Sequence, residues 1–225
     1  TDIVGVVYEG RTELMDPKKL PFAQKTDKRN LGEAIEGADV FLGLSAGGVL
    51  KPEMVKRMAD KPLVFALANP EPEISYKDAT SVRKDIILAT GRSDHPNQVN
   101  NVLGFPFIFR GALDVRATTI NEEMKLAAVH AIAELAKETI PEEVIQAYGE
   151  KNISFGREQI IPKPLDPRLI HYVAPAVAKA AMDSGVAKNP ILDWDEYESV
   201  LKTRLGLDNK LIRNLTTKAQ SNPKK

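Results

Sequence analysis

Residues 63–101 read LVFALANPEPEISYKDATSVRKDIILATGRSDHPNQVNN, and this stretch decides the fold. Its first apolar run, Leu63–Ala68, is too short for a helix and lies between two prolines, which is typical of a strand buried on both faces. A polar stretch of helical character follows, and a second apolar run, Ile86–Thr90, stops at Gly91. The order strand, helix, strand predicts a parallel βαβ unit.

Asparagines follow both predicted strands. Asn69 comes directly after the first strand, and Asn101 closes the polar run after the second. Ligands of open parallel sheets bind in the crevice outside the carboxyl ends of the strands, so we predict that these two amides face one shared pocket. Asparagine before proline is also ordinary turn chemistry, and for either residue alone that is the competing interpretation.

The segment before residue 63 continues the same alternation. Its predicted elements are a strand over Ile3–Tyr8, a helix from Asp16 to about Gln24, a helix over Leu31–Ile35 capped by Asn30, a buried strand over Ala38–Leu44 and a helix over Pro52–Ala59. Strands and helices at this spacing predict a doubly wound, Rossmann-like α/β fold with a parallel sheet and helices on both faces. Because the chain opens directly on strand-like residues, we expect it to be part of a longer protein that supplies the first βα unit.

The loop Ser45-Ala46-Gly47-Gly48 follows one of these strands. Glycine-rich turns let the backbone approach a ligand and present free N–H groups to anions. The loop lacks both the G-x-G-x-x-G pattern and the Walker lysine, and a tight turn alone would explain it. Beside Asn69 and Asn101, we expect it to form one wall of the same crevice.

After Asn101 only helices are predicted. They are a helix started by Pro106 with Phe109 near Leu113, a helix over Ile120–Lys137 capped by Thr118 or Thr119, a helix from Pro141 to Gly149, a helix from Asp166-Pro167 to Gly185 and a last helix capped by Asp193. Residues 152–168 are predicted to form an extended strap, because its prolines forbid a helix. We predict part of the α/β domain over residues 1–117, a helical subdomain over 118–217 and a linker over 218–225.

Composition excludes several classes of protein. Thirty-one basic residues balance thirty-one acidic ones, so nucleic acid and anionic membranes are not expected partners. The absence of cysteine excludes disulfides and thiolate chemistry. No apolar run approaches the ~20 residues of a membrane span, and we expect a soluble, cytoplasmic protein. The three histidines, His95, His130 and His171, are scattered, so no general base or metal cage is predicted.

Long blocks of the sequence resemble the cofactor-binding half of bacterial malic enzymes. The blocks are Gly5–Tyr8 with Gly10-Arg11, Ala38–Ala46, Phe65–Glu73, Thr90–Asp94, Pro96–Asn101, Phe109–Asp114, Ile161–Pro164 and Ala174–Ala178. The tail, Lys218–Lys225, resembles the linker that leads, in hybrid members of the family, into a phosphotransacetylase-like regulatory domain. The resemblance therefore extends over nearly the whole chain.

The resemblance implies oxidative decarboxylation of malate to pyruvate and CO₂, with Mg²⁺ or Mn²⁺ and a nicotinamide cofactor. It implies that Asp2, Ser45, Ala46, Asn69 and Asn101 bind the cofactor, Asp2 through the adenosine ribose, and that the two asparagines also bind the substrate. The family's tyrosine acid, lysine base and metal carboxylates have no counterpart here. We therefore expect a chain that is inactive without an upstream malic domain, and that belongs to a homo-oligomer.

The identity of the nucleotide is open at this point. A carboxylate at Asp2 favours a ribose diol and hence NAD, whereas hybrid malic enzymes as a group imply NADP. We expect NADP, with NAD as the alternative. Two other classes also remain: a different nucleotide-binding dehydrogenase, and a non-catalytic α/β interaction domain, since fold alone does not determine function.

Overall fold

The structure is a computed structural model that describes residues 1–142, 144–145, 154–204 and 206. It contains two compact units, one of residues 1–99 and one that begins at Asn100, and each is described by itself. The functional division predicted at residue 117 stays a prediction. The predicted linker, residues 218–225, lies outside the described residues.

The first unit is built on a parallel sheet. Its strands, in spatial order, are β1 (Val40–Gly43), β2 (Leu63–Ala66) and β3 (Ile87–Thr90). Its helices are α1 (Leu31–Ala34), α2 (Pro52–Lys56) and α3 (Tyr76–Val82). Leu42 pairs with Phe65, which pairs in turn with Ala89, so the carboxyl ends of the three strands lie at one edge. The predicted βαβ order is confirmed.

The core of this unit lies between the sheet and its helices. Val64 and Leu88 point from the sheet toward Val55 of α2 and Ala79 of α3, and all four are buried. Because α2 and α3 contact each other, they cover the same face of the sheet. The predicted cap of α1 is confirmed, since the side chain of Asn30 accepts the N–H of Glu33.

The strand predicted over Ile3–Tyr8 is wrong. Asp2 and Gly5 pair with each other across a tight turn, with the Asp2 N–H 2.8 Å from the Gly5 oxygen. Gly5 has a φ of +124°, which glycine tolerates best, and Ile3 is 94% exposed. An apolar run cannot continue as a strand where a glycine turns the chain back on itself.

The helix predicted from Asp16 to about Gln24 is also wrong, because only a 3-10 helix over Leu20–Phe22 forms. The predicted cap is present: the Asp16 carboxylate accepts the N–H groups of Lys18 and Lys19. Pro21, however, has no N–H to donate, and a second proline so soon after Pro17 opposes helix propagation.

The strand over residues 38–44 exists, but its predicted burial is wrong. Val40 is 53% exposed, Leu42 62% and Leu44 74%, whereas Gly43 is buried. β1 is the edge strand of the described sheet, and α2 and α3 cover the opposite face. A short apolar run reveals strand character but not which of its two faces is covered.

In the second unit, the described elements are helical. They are a 3-10 helix over Asn101–Leu103, α4 (Phe105–Asp114), α5 (Glu122–Lys137), α6 (Leu169–Asp183) and a helical segment over residues 194–204. α6 packs against both α4 and α5, and its Val173 and Val177 are fully buried with Met124 of α5. None of the described helices has the length and apolar character needed to cross a membrane.

The helices predicted within the described residues of this unit are confirmed apart from details at their ends. The N-cap of α5 is Asn121, whose side chain accepts the Met124 N–H at 3.1 Å, so the predicted cap at Thr118 or Thr119 is wrong. Asp193 caps the last helical segment as predicted, accepting the N–H of Glu196. The helix predicted from Pro141 to Gly149 falls mostly outside the described residues.

Candidate functional site

A buried carboxylate joins the loops that follow β1 and β2. Glu73 is 0% exposed. One of its oxygens, Oε1, accepts the N–H of Ser45 at 2.8 Å and the Ser45 hydroxyl at 3.2 Å. The other, Oε2, accepts the N–H of Ala68 at 2.9 Å. The two strand ends are therefore held by one side chain at the carboxyl edge of the sheet.

Glycines make this close approach possible. A Cβ added at Gly43 would lie 2.4 Å from the carboxylate carbon of Glu73, and one at Gly47 would lie 2.8 Å from the Cβ of Glu71. Gly48 has a φ of +72°, and its N–H donates to the Pro72 oxygen at 3.0 Å. The glycines thus serve packing between the two loops.

This packing corrects one expectation from the sequence. The loop Ser45–Gly48 was expected to present free N–H groups to an anion. In the structure the N–H of Ser45 donates to Glu73 and that of Gly48 to Pro72, so the expectation is wrong for these two groups. The Ser45 and Ala46 residues are nevertheless exposed, on the outer side of the loop.

The two asparagines are placed differently from each other. Asn69 follows β2 and is exposed, and its peptide bond to Pro70 is cis. Asn101 is also exposed and begins the 3-10 helix of the second unit, which Asn100 caps by accepting the Val102 N–H. Exposure agrees with a ligand-facing role, and the shared pocket stays a prediction because the two residues belong to different units.

Asp2 lies in a cluster of opposite charges. Arg11 binds both carboxylate oxygens of Asp2, with Nη1 2.9 Å from Oδ1, and Lys19 Nζ lies 2.8 Å from Oδ2. The Val4 N–H adds a bond of 3.0 Å to Oδ1. The hydrogen bonds from Arg11, reinforced by Lys19, hold the pKa of the Asp2 carboxyl well below its usual range.

The two cations of this cluster differ in exposure. One carboxylate faces two cations, Arg11 and Lys19. The side chain of Arg11 is 3% exposed and that of Lys19 is 32% exposed, so the lysine is the accessible cation. The sequence interpretation considered Asp2 alone and missed both partners, although Gly10-Arg11 belongs to the quoted resemblance.

Other residues that the sequence singled out have structural partners. The ring of His95 stacks on Tyr76 with centroids 4.5 Å apart. Arg168, at the end of the predicted strap, pairs with the buried Asp166 and donates to the Thr139 oxygen. Among the described residues, no three His, Asp or Glu side chains gather as a metal cage. The described part of the chain therefore does not fit the metal that the family implies.

Comparison with known proteins identifies the family. Residues 1–148 match the family model described as the malic enzyme NAD-binding domain. This chain belongs to the malic enzyme family. The predicted resemblance is thereby confirmed for the cofactor-binding half.

Both NADP-dependent and NAD-dependent malic enzymes are similar to this chain. An NADP-dependent malic enzyme of Salmonella typhimurium is 57% identical over 225 residues, which is all of this chain and 30% of that protein. An NAD-dependent malic enzyme of Rhizobium meliloti is 60% identical over 196 residues, 87% of this chain and 26% of that protein. This malic enzyme chain thus spans about a third or less of the length of each of these two relatives.

A solved malic enzyme structure has the same fold. The crystal structure of the Entamoeba histolytica malic enzyme superposes with a TM-score of 0.79 at 33% identity, over 95% of this chain and 43% of that one. The predicted α/β class, with its parallel sheet and Rossmann-like arrangement, is confirmed.

Proposed function

We propose that this malic enzyme domain binds NADP. Together with the rest of a longer protein, it supports the oxidative decarboxylation of malate to pyruvate and CO₂. The observation that carries the proposal is the pair of interlocked loops at the carboxyl edge of the sheet. In open parallel sheets this edge is where ligands bind. Membership of the malic enzyme family supplies the reaction class.

The exposed side of the interlocked loops supplies the proposed binding residues. Ser45 and Ala46 follow β1 and Asn69 follows β2, and all three are exposed. We propose that they bind the cofactor with Asp2 and Asn101. When bound, the nicotinamide cofactor accepts the hydride from malate.

The asparagines carry the proposed substrate contacts. An asparagine amide both donates and accepts hydrogen bonds, so Asn69 and Asn101 suit a carboxylate or a carboxamide. Because neither group titrates near neutral pH, we assign them binding and orientation rather than proton transfer.

The Asp2 cluster favours NADP over NAD. A lone carboxylate would accept bonds from a ribose diol and repel a 2′-phosphate. Here Arg11 and Lys19 already bind the Asp2 oxygens, and the partly exposed Lys19 ammonium suits a phosphate. NAD is the second candidate, because the Asp2 carboxylate is 18% exposed and related malic enzymes use NAD.

We propose that the general acid, the general base and the ligands of Mg²⁺ or Mn²⁺ are supplied by the rest of a longer protein. This fits the small share of its relatives that the chain spans. On this proposal the chain alone is inactive. An upstream malic domain, a phosphotransacetylase-like domain and a homo-oligomer stay predictions, as does a cytoplasmic location.

Two measurements test the proposal. Calorimetric titration of the full-length enzyme should show binding of NADP, and more weakly of NAD; binding of neither would favour the non-catalytic interaction domain. In the full-length enzyme, malate should drive NADP reduction and lactate should not, whereas the reverse would indicate a different dehydrogenase.

The substitution Asn101→Ala tests the site itself. Loss of a substrate-orienting amide should lower kcat/KM for malate by about 100-fold, since a hydrogen bond to a charged ligand is worth ~1.5–3 kcal/mol and misorientation adds to that loss. Asn100→Asp keeps a capping oxygen at the neighbouring position and is the control. An unchanged kcat/KM in Asn101→Ala would remove Asn101 from the site.

A further inference from the structure

We infer that Glu73 is a positioning residue for the dinucleotide site, acting through the two loops that it joins. The inference rests on the proposed function, because it takes Ser45, Ala46 and Asn69 to face the ligand. Glu73 itself is fully buried, so it does not touch the ligand. Instead, Glu73 orients the loops that carry the exposed residues Ser45, Ala46 and Asn69.

The environment of Glu73 is unusual for a carboxylate. Within the described ranges, it forms no ion pair with a lysine, arginine or histidine. Burying a charge without a cation is costly, and an apolar residue of similar volume would often give the more stable protein. What this side chain adds is acceptor capacity: both of its oxygens accept hydrogen bonds, and three donors converge on it.

The donors come from separate parts of the chain. Ser45 lies 28 residues before Glu73, in the loop after β1, and Ala68 lies five residues before it, after β2. Ala68 directly precedes Asn69, and Ser45 directly precedes Ala46. One side chain therefore fixes the backbone next to the proposed ligand-facing residues of both strands.

Two more features bring Glu73 and the first loop together. Gly43 leaves room for the carboxylate, since a Cβ there would lie 2.4 Å from its carbon. The backbone oxygen of Glu73 accepts the N–H of Leu50 at 3.0 Å, which ties the far end of the first loop to the same residue. The loop is thus anchored to Glu73 at both ends.

Glu73→Gln in the full-length enzyme tests the inference. The amide keeps the volume but replaces one acceptor oxygen by a donor, so one of the two N–H groups loses its partner. We expect the Kd of NADP to rise about tenfold (~1.4 kcal/mol) at a temperature where circular dichroism shows a folded protein. Glu53→Gln removes an exposed carboxylate whose only described partner is Lys56 and should leave the Kd unchanged.

Amide spectra separate positioning from bulk stability. In the wild-type chain the Ser45 and Ala68 amides should be protected from hydrogen exchange, and this measurement does not depend on the variant folding. In Glu73→Gln at least one of the two resonances should shift upfield. Rapid exchange of both amides in the wild type would overturn the inference.

The outcomes distinguish this inference from the proposed function. Wild type that binds neither NADP nor NAD would remove the proposed function and this inference with it. Wild type that binds NADP, with a folded Glu73→Gln that binds it within about twofold and only melts earlier, would overturn the inference alone. The inference is supported if the Kd of NADP rises tenfold in Glu73→Gln and is unchanged in Glu53→Gln.

Discussion

Two carboxylates of the first unit, Asp2 and Glu73, are held in opposite ways. Asp2 lies near the surface and is bound by two cations, Arg11 and Lys19. Glu73 is fully buried and is bound by main-chain N–H groups and a hydroxyl. The first arrangement sets the charge that a ligand meets, whereas the second sets the shape of two loops.

The contrast has an energetic consequence. Ion pairs near the surface are screened by water and salt and contribute little to folding. A buried acceptor that loses its donors, or a buried donor that loses its acceptor, pays the full desolvation penalty. Changes around Glu73 should therefore reduce stability more than changes around Asp2, and changes around Asp2 should affect nucleotide choice more.

The largest stability effect is expected for Gly43→Ala. The new Cβ would lie 2.4 Å from the carboxylate carbon of Glu73 and 2.7 Å from the Phe41 ring, so the loops must move apart. We expect a loss of about 3 kcal/mol in the free energy of unfolding, measured by urea denaturation. Gly91→Ala is the control, because the nearest atom to its Cβ is 4.0 Å away. Equal stability of the two variants would contradict the packing described for Glu73.

A smaller change, in selectivity rather than stability, is expected for Lys19→Gln. Removing the accessible cation should lower the ratio of kcat/KM with NADP to that with NAD about tenfold, ~1.4 kcal/mol. The loss should shrink at high salt, because the contact is partly exposed. Lys18→Gln, at an exposed neighbouring lysine, should leave the ratio unchanged. If Lys19→Gln preserves the ratio, the cluster does not select the nucleotide.

The smallest effect concerns the pH dependence of stability. The folded pKa of Asp2 lies below its ordinary value of 3.8, so its contribution is present above about pH 4 and is lost as pH falls toward the folded pKa. Asp2→Asn should therefore melt slightly earlier than wild type at pH 6, and the difference should diminish below pH 4. If the difference in melting temperature between Asp2→Asn and wild type grew on acidification, the lowered pKa of Asp2 would be contradicted.

Much of the sheet was predictable because its signals are local. Leu63–Ala68 and Ile86–Thr90 are short apolar runs bounded by proline and glycine, and the cap at Asn30 requires only the next turn of chain. The covered face of β1 was not predictable, since it depends on where α2 and α3 pack. The turn at Gly5 depends on a backbone angle that an apolar run does not encode.

Glu73 shows why the site was only partly predictable. In the sequence it is one charge in the turn Glu71-Pro72-Glu73, where a solvated side chain is the usual outcome. Its burial depends on Gly43 and Ser45, which come from another strand. Arg11 and Lys19 were missed for the same reason, because a tertiary turn brings them to Asp2. The position of Asn69 after β2 was predictable because strand ends are local features, and its ligand role stays a prediction.

The most direct test of the account is a ¹⁵N–¹H titration with NADP of the domain extended upstream through the first βα unit. The account predicts that the amides of Ser45, Ala46 and Asn69, at the carboxyl edge of the sheet, shift together with those of Asp2 and Lys19, and that all five follow one binding curve. Shifts confined to other surfaces, with these five amides unmoved at saturation, would contradict it.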